Sequence, residues 1–398
     1  MLHATLSGDI FLKSRRTQPR MIKRARANIA AALQDAGHSG RHQRVSGHRL
    51  AIDAEAVDEV LLTDRLTRVF GVSAVETVAA IPAPDLDTIV SGATEIAGSR
   101  VAGRTFAVRP KRQGTHGWRS QELANRLGDE LRARGGTVDL DAPDVTVRVT
   151  VINDTAYVVD AHVAGPAGLP IGTQDTVLTL LSGGFDSVVA TWMMMSRGST
   201  PEIVHFTLNC AQSDHALAVA HELHGRWGYG AEPVVHLVEF QPVKEALLAD
   251  VDAKMRQVAL KVLMAQAAAA VADEERILAL VTGDSLGQVS SQTLPHLAAV
   301  SRSVETPILR PLVGLPKETI IDMARRIGTA EMSARAREVC DLSEGGPVAT
   351  AAREAAIRRS VGDVPGVLMD DAVSSRKTFL LRDWMPGVST TADQSAFA

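Results

Sequence analysis

"LTLLSGGFDSVVATWMMMSRG", Leu178 to Gly198, joins an apolar run to a glycine turn and then to a segment of helical character. The run ends at Leu181, Gly183 and Gly184 permit a tight turn with exposed amides, and a helix is expected from near Ser187. Backbone N–H groups converging with a helix N-terminus make an anion site that needs no lysine. Asp186 is the informative residue. A carboxylate beside a phosphate is repulsive unless a divalent cation lies between them, so its place in the turn points to a metal–nucleotide complex. The competing reading has Ser182 and Asp186 merely capping a helix after a strand. Met193 to Met195 read as core filler on that helix.

Outward from this turn, strands and helices alternate: "EIVHFTL", His215 to Trp227, "VVHLVEF", Val243 to Ala272 and "ILALVTG". That is the pattern of βαβ units, so an α/β fold with a doubly wound parallel sheet is expected, with its ligand at the carboxyl ends of the strands. Toward the N-terminus the order changes. "ATLSGDIFLKS" reads as strand and turn, Pro19 to Leu33 as a basic helix, "HRLAID" as a strand, Ala56 to Val69 as a helix and "VSAVETVAAI" as a strand, giving a small α+β domain over 1–83. A second α/β domain over 84–168 contains a helix near Leu86 to Gly98, the strand "RTFAVRPKRQG" and a helix from a capping Ser120 to Arg134. The strands "DVTVRVTVI" and "TAYVVDAHV" follow, joined at Asn153-Asp154. "AGPAGLPIGTQ" is the linker to the third domain, 169–398.

The 398 residues suffice for two or three domains, and no apolar run is long enough to span a bilayer. With no basic and apolar leader at the N-terminus, a cytoplasmic protein with no membrane partner is expected. Two cysteines, Cys210 and Cys340, make no disulfide framework. The net charge of −4 conceals a polarity along the chain. Phe11 to Arg49 carries ten Lys/Arg against one acid, and Arg100 to Arg134 carries nine against three. Two basic stretches ahead of a nucleotide site indicate a polyanionic partner. No GxGxxG and no GxxxxGK[ST] occurs, which removes Rossmann cofactors and classical NTPases as first choices.

"SGGFDS" resembles the pyrophosphate loop of the PP-loop ATPases. "LVTGDSLGQVSSQT" (Leu280 to Thr293) and "TPILRPLVGLPKETIIDMARRIGT" (Thr306 to Thr329) resemble segments of the tRNA 4-thiouridine synthetases, or tRNA sulfurtransferases. "GDIFLKSRRTQPRMIKRARANI" is similar to that family's ferredoxin-like N-terminal domain. "TFAVRPKRQGTHGWRSQELANRLGDEL", "PDVTVRVTV" and "AGPAGLPIGT" resemble its THUMP RNA-binding domain. The resemblance runs over about residues 6 to 345 in the family's order. It implies that ATP adenylates a uridine C4 oxygen in tRNA, Mg²⁺ assisting, and that sulfur then replaces that oxygen. The chemistry agrees, because an amide-like carbonyl must be given a leaving group before it can be substituted.

By the same resemblance, nucleotide contacts fall on Leu180, Leu181, Ser182, Gly183, Gly184, Ser187, Thr207, Leu208, Lys261, Gly283 and Gln292. Asp186 would serve catalysis and hold the metal, Lys317 would oppose charge developing in adenyl transfer, and Cys340 would carry or receive sulfur. RNA contacts fall on Arg15, Arg16, Arg20, Lys23, Arg109, Lys111 and Arg112, reading tRNA shape and phosphates rather than sequence. The cysteine's neighbours are Arg337-Glu338-Val339 and Asp341, where the family usually has Pro-Glu-Tyr-Cys-Gly. An acidic neighbour tends to raise a thiol's pKa. The 53 residues after Gly345 contain no Cys, so the sulfur donor is expected to be a cysteine desulfurase or other persulfide protein, or to act through Cys210. A homodimer is compatible with this reading. Two other functions stay open: sulfur transfer to a carrier protein for thiazole synthesis, and a tRNA-binding protein that has lost catalysis.

Overall fold

Period-two apolar patterning in the N-terminal part becomes one continuous sheet. The computed structural model describes residues 1–54, 57–208, 213–336, 342 and 348–385, and the chain divides into two units, Met1–Gly168 and Leu169–Ala398. In the first unit the elements are β1 (Leu2–Leu6), α1 (Gly8–Phe11), α2 (Gln18–Asp35), β2 (Gln43–Arg44), β3 (Arg49–Ile52), α3 (Glu59–Leu66) and β4 (Val72–Pro82). They are followed by α4 (Leu86–Val101), β5 (Thr105–Gln113), α5 (Ser120–Ala133), β6 (Thr137–Val138), β7 (Val145–Ile152) and β8 (Thr155–Ala164). The strand order is β2-β3-β1-β4-β8-β7-β5-β6. The long β4 pairs antiparallel with β1 on one side and with β8 on the other, so residues on both sides of Pro82 share a single sheet.

The basic helix α2 buries Met21, Ala25, Asn28, Ile29, Ala32 and Leu33, one stripe at helical spacing, and so turns its cationic residues outward. Helices α4 and α5 bury Ile89, Ala93, Ala97, Leu123, Leu127 and Leu131 against Val147, Val149 and Val158 of the sheet. Each fully buried Leu or Ile there contributes about 1.5–3 kcal/mol. Asn153 takes φ +50° in the β7–β8 turn, a conformation asparagine tolerates. Three boundaries differ from the sequence reading. The expected turn after β1 holds the short helix α1, capped by the Ser7 hydroxyl. Helix α3 begins at Glu59 because Asp58 caps it. Arg119, not Ser120, is the N-cap of α5, and Ser120 is its first helical residue.

The second unit contains β9 (Val177–Leu180), α6 (Phe185–Ser196), β10 (Pro201–Thr207), α7 (Ser213–Trp227), β11 (Val234–Glu239), α8 (Gln241–Asp250), α9 (Ala253–Glu274) and β12 (Leu280–Val281). Then come α10 (Leu294–Arg302), β13 (Ile308–Leu309), α11 (Lys317–Ile327), α12 (Ala330–Ser333), α13 (Glu354–Gly362), α14 (Gly366–Ser374) and β14 (Lys377–Leu380). The sheet order is β13-β12-β9-β10-β11-β14, parallel except for the edge strand β14. The single helix expected over Val243 to Ala272 is two helices. Val251 is extended there and the Asp252 carboxylate caps α9. Helix α9 buries apolar residues on two faces because it is sandwiched. Leu260, Leu263 and Ala267 pack with Leu178, Val204 and Val238 of the sheet, while Val258, Val262 and Ala265 pack with Val300 of α10 and Ile357 of α13. From β9 the chain winds one way to β10 and β11, then returns to place β12 on β9's other side. That reversal opens a crevice beyond the ends of β9 and β12.

Candidate active site and nucleic-acid interface

Two loops meet at this crevice. After β9, Gly183 adopts φ +81°, and a Cβ on it would lie 2.9 Å from Ala216 Cα, so both conformation and space demand glycine. Gly184 caps α6, which starts at Phe185, two residues earlier than the sequence suggested. The Ser187 hydroxyl folds back inside the turn, accepting from Ser182 N at 3.2 Å and donating to Gly184 O at 3.2 Å. His205 of β10 is buried, and burial holds its pKa below the ordinary value. The neutral ring donates Nδ1–H to Leu181 O at 2.7 Å and fixes the end of the strand. After β12, Gly283 presses on the first turn of α6: a Cβ there would be 2.6 Å from Asp186 C and Ser187 N.

Asp186 and Lys317 come together. Lys317 Nζ lies 2.8 and 2.9 Å from the two Asp186 oxygens, and Gln288 Nε2 donates to Asp186 Oδ2 at 2.9 Å. Lys317 is the first residue of α11, where the helix dipole disfavours a cation, and Asp186 compensates. Its ammonium also lies 5.6 Å from the centre of the Phe185 ring. Beside this pair, the buried Asp284 gathers Lys261 at 2.9 Å, Gln292 at 3.4 Å, Thr282 at 2.7 Å and Arg310 at 3.3 Å. Burial alone would raise the Asp284 carboxyl. The Lys261 charge and hydrogen bond, the Thr282 hydroxyl and Arg310 outweigh it and hold the pKa at about 2.

Of the expected nucleotide contacts, Leu180, Leu181, Ser182, Gly183, Gly184 and Ser187 belong to the β9 turn and the start of α6, Gly283 and Gln292 to the opposing segment after β12, and Lys261 to α9, from which it reaches Asp284. Thr207 and Leu208 end β10, the Thr207 hydroxyl 3.0 Å from Ser213 Oγ and the Leu208 carbonyl 3.4 Å from Lys244 Nζ. Cys340 and Cys210 lie outside the described residues. Asp284, Arg310, Gln288 and His205 were missed. The adjacency of Asp284 to Gly283 was the available signal, since an acid next to a close-approach glycine is placed by the backbone. Among the described residues no group of three or more His, Cys, Asp or Glu side chains is arranged to hold a metal, and no helix is long and apolar enough to cross a membrane.

In the first unit, strand register assembles a basic depression of about 350 Å³ on one sheet face. Arg109 sits opposite Arg148 and Lys111 opposite Thr150, while Thr5 is opposite Arg49 and Glu76 opposite His162. All of these line the depression, together with His48. Arg49, 8% exposed, reaches Glu76 at 3.1 Å, and His162 Nδ1 lies 3.2 Å from the same carboxylate. Burial, then the Arg49 and Lys111 charges, lower the pKa of His48. Two of the seven expected RNA residues, Arg109 and Lys111, therefore lie in this depression. Arg15, Arg16, Arg20 and Lys23 are exposed on α2 and the turn before it, and Arg112 lies 5.9 Å over the Trp118 ring. Sequence reading missed Arg148, Arg49, His48 and His162 because register, not spacing, brings them together.

Comparison with known proteins decides the family. A "tRNA sulfurtransferase" of Pseudomonas aeruginosa is 37% identical over 350 residues, covering 86% of this chain and 72% of its own length. The chain belongs to the tRNA sulfurtransferase family. A "probable tRNA sulfurtransferase" of Aeropyrum pernix is 35% identical over 338 residues, covering 84% of this chain and 85% of that protein. The THUMP domain model matches residues 83–159, and the model "Thiamine biosynthesis protein (ThiI)" matches residues 172–362. The fold is that of a 4-thiouridine synthetase solved as an RNA complex with bound ATP. That structure superposes with a TM-score of 0.80 at 25% identity, covering 95% of this chain and 99% of the other.

Proposed function

We propose that this chain is an ATP-dependent tRNA sulfurtransferase that converts a uridine of tRNA to 4-thiouridine, splitting ATP to AMP and pyrophosphate. The observation that carries the reading is the Asp186–Lys317 pair, set at the mouth of a glycine turn in a chain of this family. The turn amides and the N-terminus of α6 take the pyrophosphate. The uracil C4 oxygen attacks the α-phosphorus, the bond to the bridging oxygen breaks, and pyrophosphate departs with the electron pair. Lys317 exchanges Asp186 for the charge developing on the phosphates. A persulfide sulfur then attacks C4, and AMP leaves with the C4 oxygen. A second thiol cleaves the sulfur–sulfur bond and ends in a disulfide, leaving the C4 thiocarbonyl. Cys340 is assigned to this sulfur relay, with Cys210 as the second candidate and a cysteine desulfurase or similar protein as the persulfide source.

A lone carboxylate fits a Mg²⁺ that arrives on the nucleotide, since Mg²⁺ is commonly held by one or two carboxylates together with substrate phosphates. Asp186 would hold it, and the ion would supply further neutralisation of phosphate charge. The depression of the first unit, with Arg49, Arg109, Lys111 and Arg148, is the proposed tRNA surface. The thiamine-linked name of the matching family model favours a second reading, sulfur delivery to a carrier protein for thiazole synthesis. Such a reaction would not need the basic depression. The test is nucleoside mass analysis of tRNA from cells with and without the gene: loss of 4-thiouridine on deletion supports the proposal. Unchanged 4-thiouridine with a new thiazole requirement favours the second reading.

A further inference from the structure

The family resemblance points separately to Lys261, on α9, and to Gln292, after β12. One carboxylate between them contacts both. Asp284 is 6% exposed, and each of its oxygens has two donors: Lys261 and Gln292 on Oδ1, Thr282 and Arg310 on Oδ2. Its acceptor capacity is therefore filled. We infer that Asp284 is a positioning residue for the nucleotide site, holding Lys261, Gln292 and Arg310 in one wall beside the Ser182–Ser187 turn. The inference rests on the nucleotide reading above.

Three observations lead there. First, the charges do not cancel: two cations meet one carboxylate, leaving a net positive wall next to a turn built for anions. Second, the wall has unspent hydrogen-bonding capacity. Gln292 Oε1 and Arg310 Nη2 are buried without a hydrogen-bond partner, an arrangement that costs stability unless a ligand uses it. Third, Asp284 stands at the root of a loop that reaches the catalytic pair. Gly283 touches the backbone of Asp186, Gly287 N donates to Gln292 O at 2.9 Å, and the Gln288 side chain bonds Asp186. A lysine on a flexible four-carbon stem has no preferred direction of its own. Asp284 gives Lys261 one, and ties it to the loop that contacts Asp186.

The test uses the full chain and reads ATP affinity by calorimetry in the presence of Mg²⁺, KM and kcat in ATP–pyrophosphate exchange with tRNA present, and thermal midpoint. Asp284→Asn keeps the shape and removes the charge. It is expected to weaken ATP binding about tenfold or more, as removal of a charge-assisted hydrogen bond does, with the change in KM exceeding that in kcat. Asp284→Glu keeps the charge and should cost only a few-fold. In a Lys261→Met background both substitutions should cost much less than in the wild-type chain, because Asp284 then has no lysine to aim. A merely structural carboxylate would weaken ATP binding by the same factor in both backgrounds, whatever the fall in thermal midpoint, which overturns the inference. So does wild-type ATP affinity in the Asn protein. Should the Asn protein not fold, the Glu substitution in the two backgrounds decides by the same comparison. If the wild-type chain itself binds no ATP, the nucleotide reading fails instead.

Discussion

Gly283→Ala places a methyl group between two backbones. The new Cβ would lie 2.6 Å from Asp186 C and Ser187 N and 2.9 Å from Asp186 O, whereas ordinary contact begins at 3.4 Å. No rotamer relieves this, because all three neighbours are main chain, so the β12 loop and the first turn of α6 must part by about 0.8 Å. Overpacking of this kind costs roughly 1–3 kcal/mol. For a unit of this size that is a fall of roughly 6 to 12 °C in thermal midpoint at the upper end of the cost. Function should suffer more than stability. The part that moves carries the amides of the anion turn, and a displacement approaching 1 Å at reacting groups costs on the order of a hundredfold in rate. The assay is tRNA-dependent ATP–pyrophosphate exchange alongside differential scanning calorimetry, with tRNA affinity measured separately. Gly225→Ala is the control: it lies within α7, has nothing within 4 Å, and should be neutral or slightly stabilising. A Gly283→Ala protein with wild-type exchange rate and midpoint would refute the argument that close backbone approach sets the turn.

Three further outcomes are expected. Asp284 has a folded pKa of about 2 against 3.8 unperturbed, so its contribution, on the order of 2 kcal/mol, is present above about pH 3.8. It is lost as pH falls toward 2, and Asp284→Asn should flatten acid unfolding in that window. His48 has its pKa lowered below the ordinary histidine value by burial and then by Arg49 and Lys111, which favours the neutral ring at pH 7 in the free protein. If RNA phosphate occupies the depression, binding raises that pKa and takes up a proton. Affinity should then rise as pH falls from 7 to 5, and Lys111→Ala with Arg148→Ala should lower the salt slope by roughly one unit for each phosphate no longer neutralised. Cys340→Ser should still form AMP from ATP and tRNA while yielding no 4-thiouridine. Wild-type thiolation by that protein with a persulfide donor would reassign the sulfur step to Cys210.

Much of the fold was legible because its signals are local. The apolar runs of β9, β10 and β11 and the glycine turn after β9 need only neighbouring residues to be read. Boundaries set by single caps were harder: Asp252 divides what looks like one long helix, and Asp58 delays α3. The candidate site was legible where a residue belongs to a contiguous motif, as Asp186 does, or lies in a segment that resembles the family, as Lys317 does. Their direct pairing was not, since 131 residues separate them and only the winding of the sheet brings them to 2.8 Å. Asp284 escaped notice for the same reason, as its partners lie on α9 and β13's flank. In the first unit the charge of each basic stretch was plain, but which side chains share a face depends on register. Arg148 joins Arg109 only because β5 and β7 run parallel in that alignment.

On the proposed function, this chain uses ATP at the glycine turn where Lys317 meets Asp186 to put sulfur on a tRNA uridine. The most direct test is reconstitution of the purified chain with unmodified tRNA, Mg·ATP, a cysteine desulfurase and cysteine, followed by mass analysis of the digested tRNA. 4-Thiouridine with stoichiometric AMP is expected from the wild-type chain, and neither from Asp186→Ala, which should still bind tRNA. Thiolation that persists without ATP, or in the Asp186→Ala protein, would contradict the account.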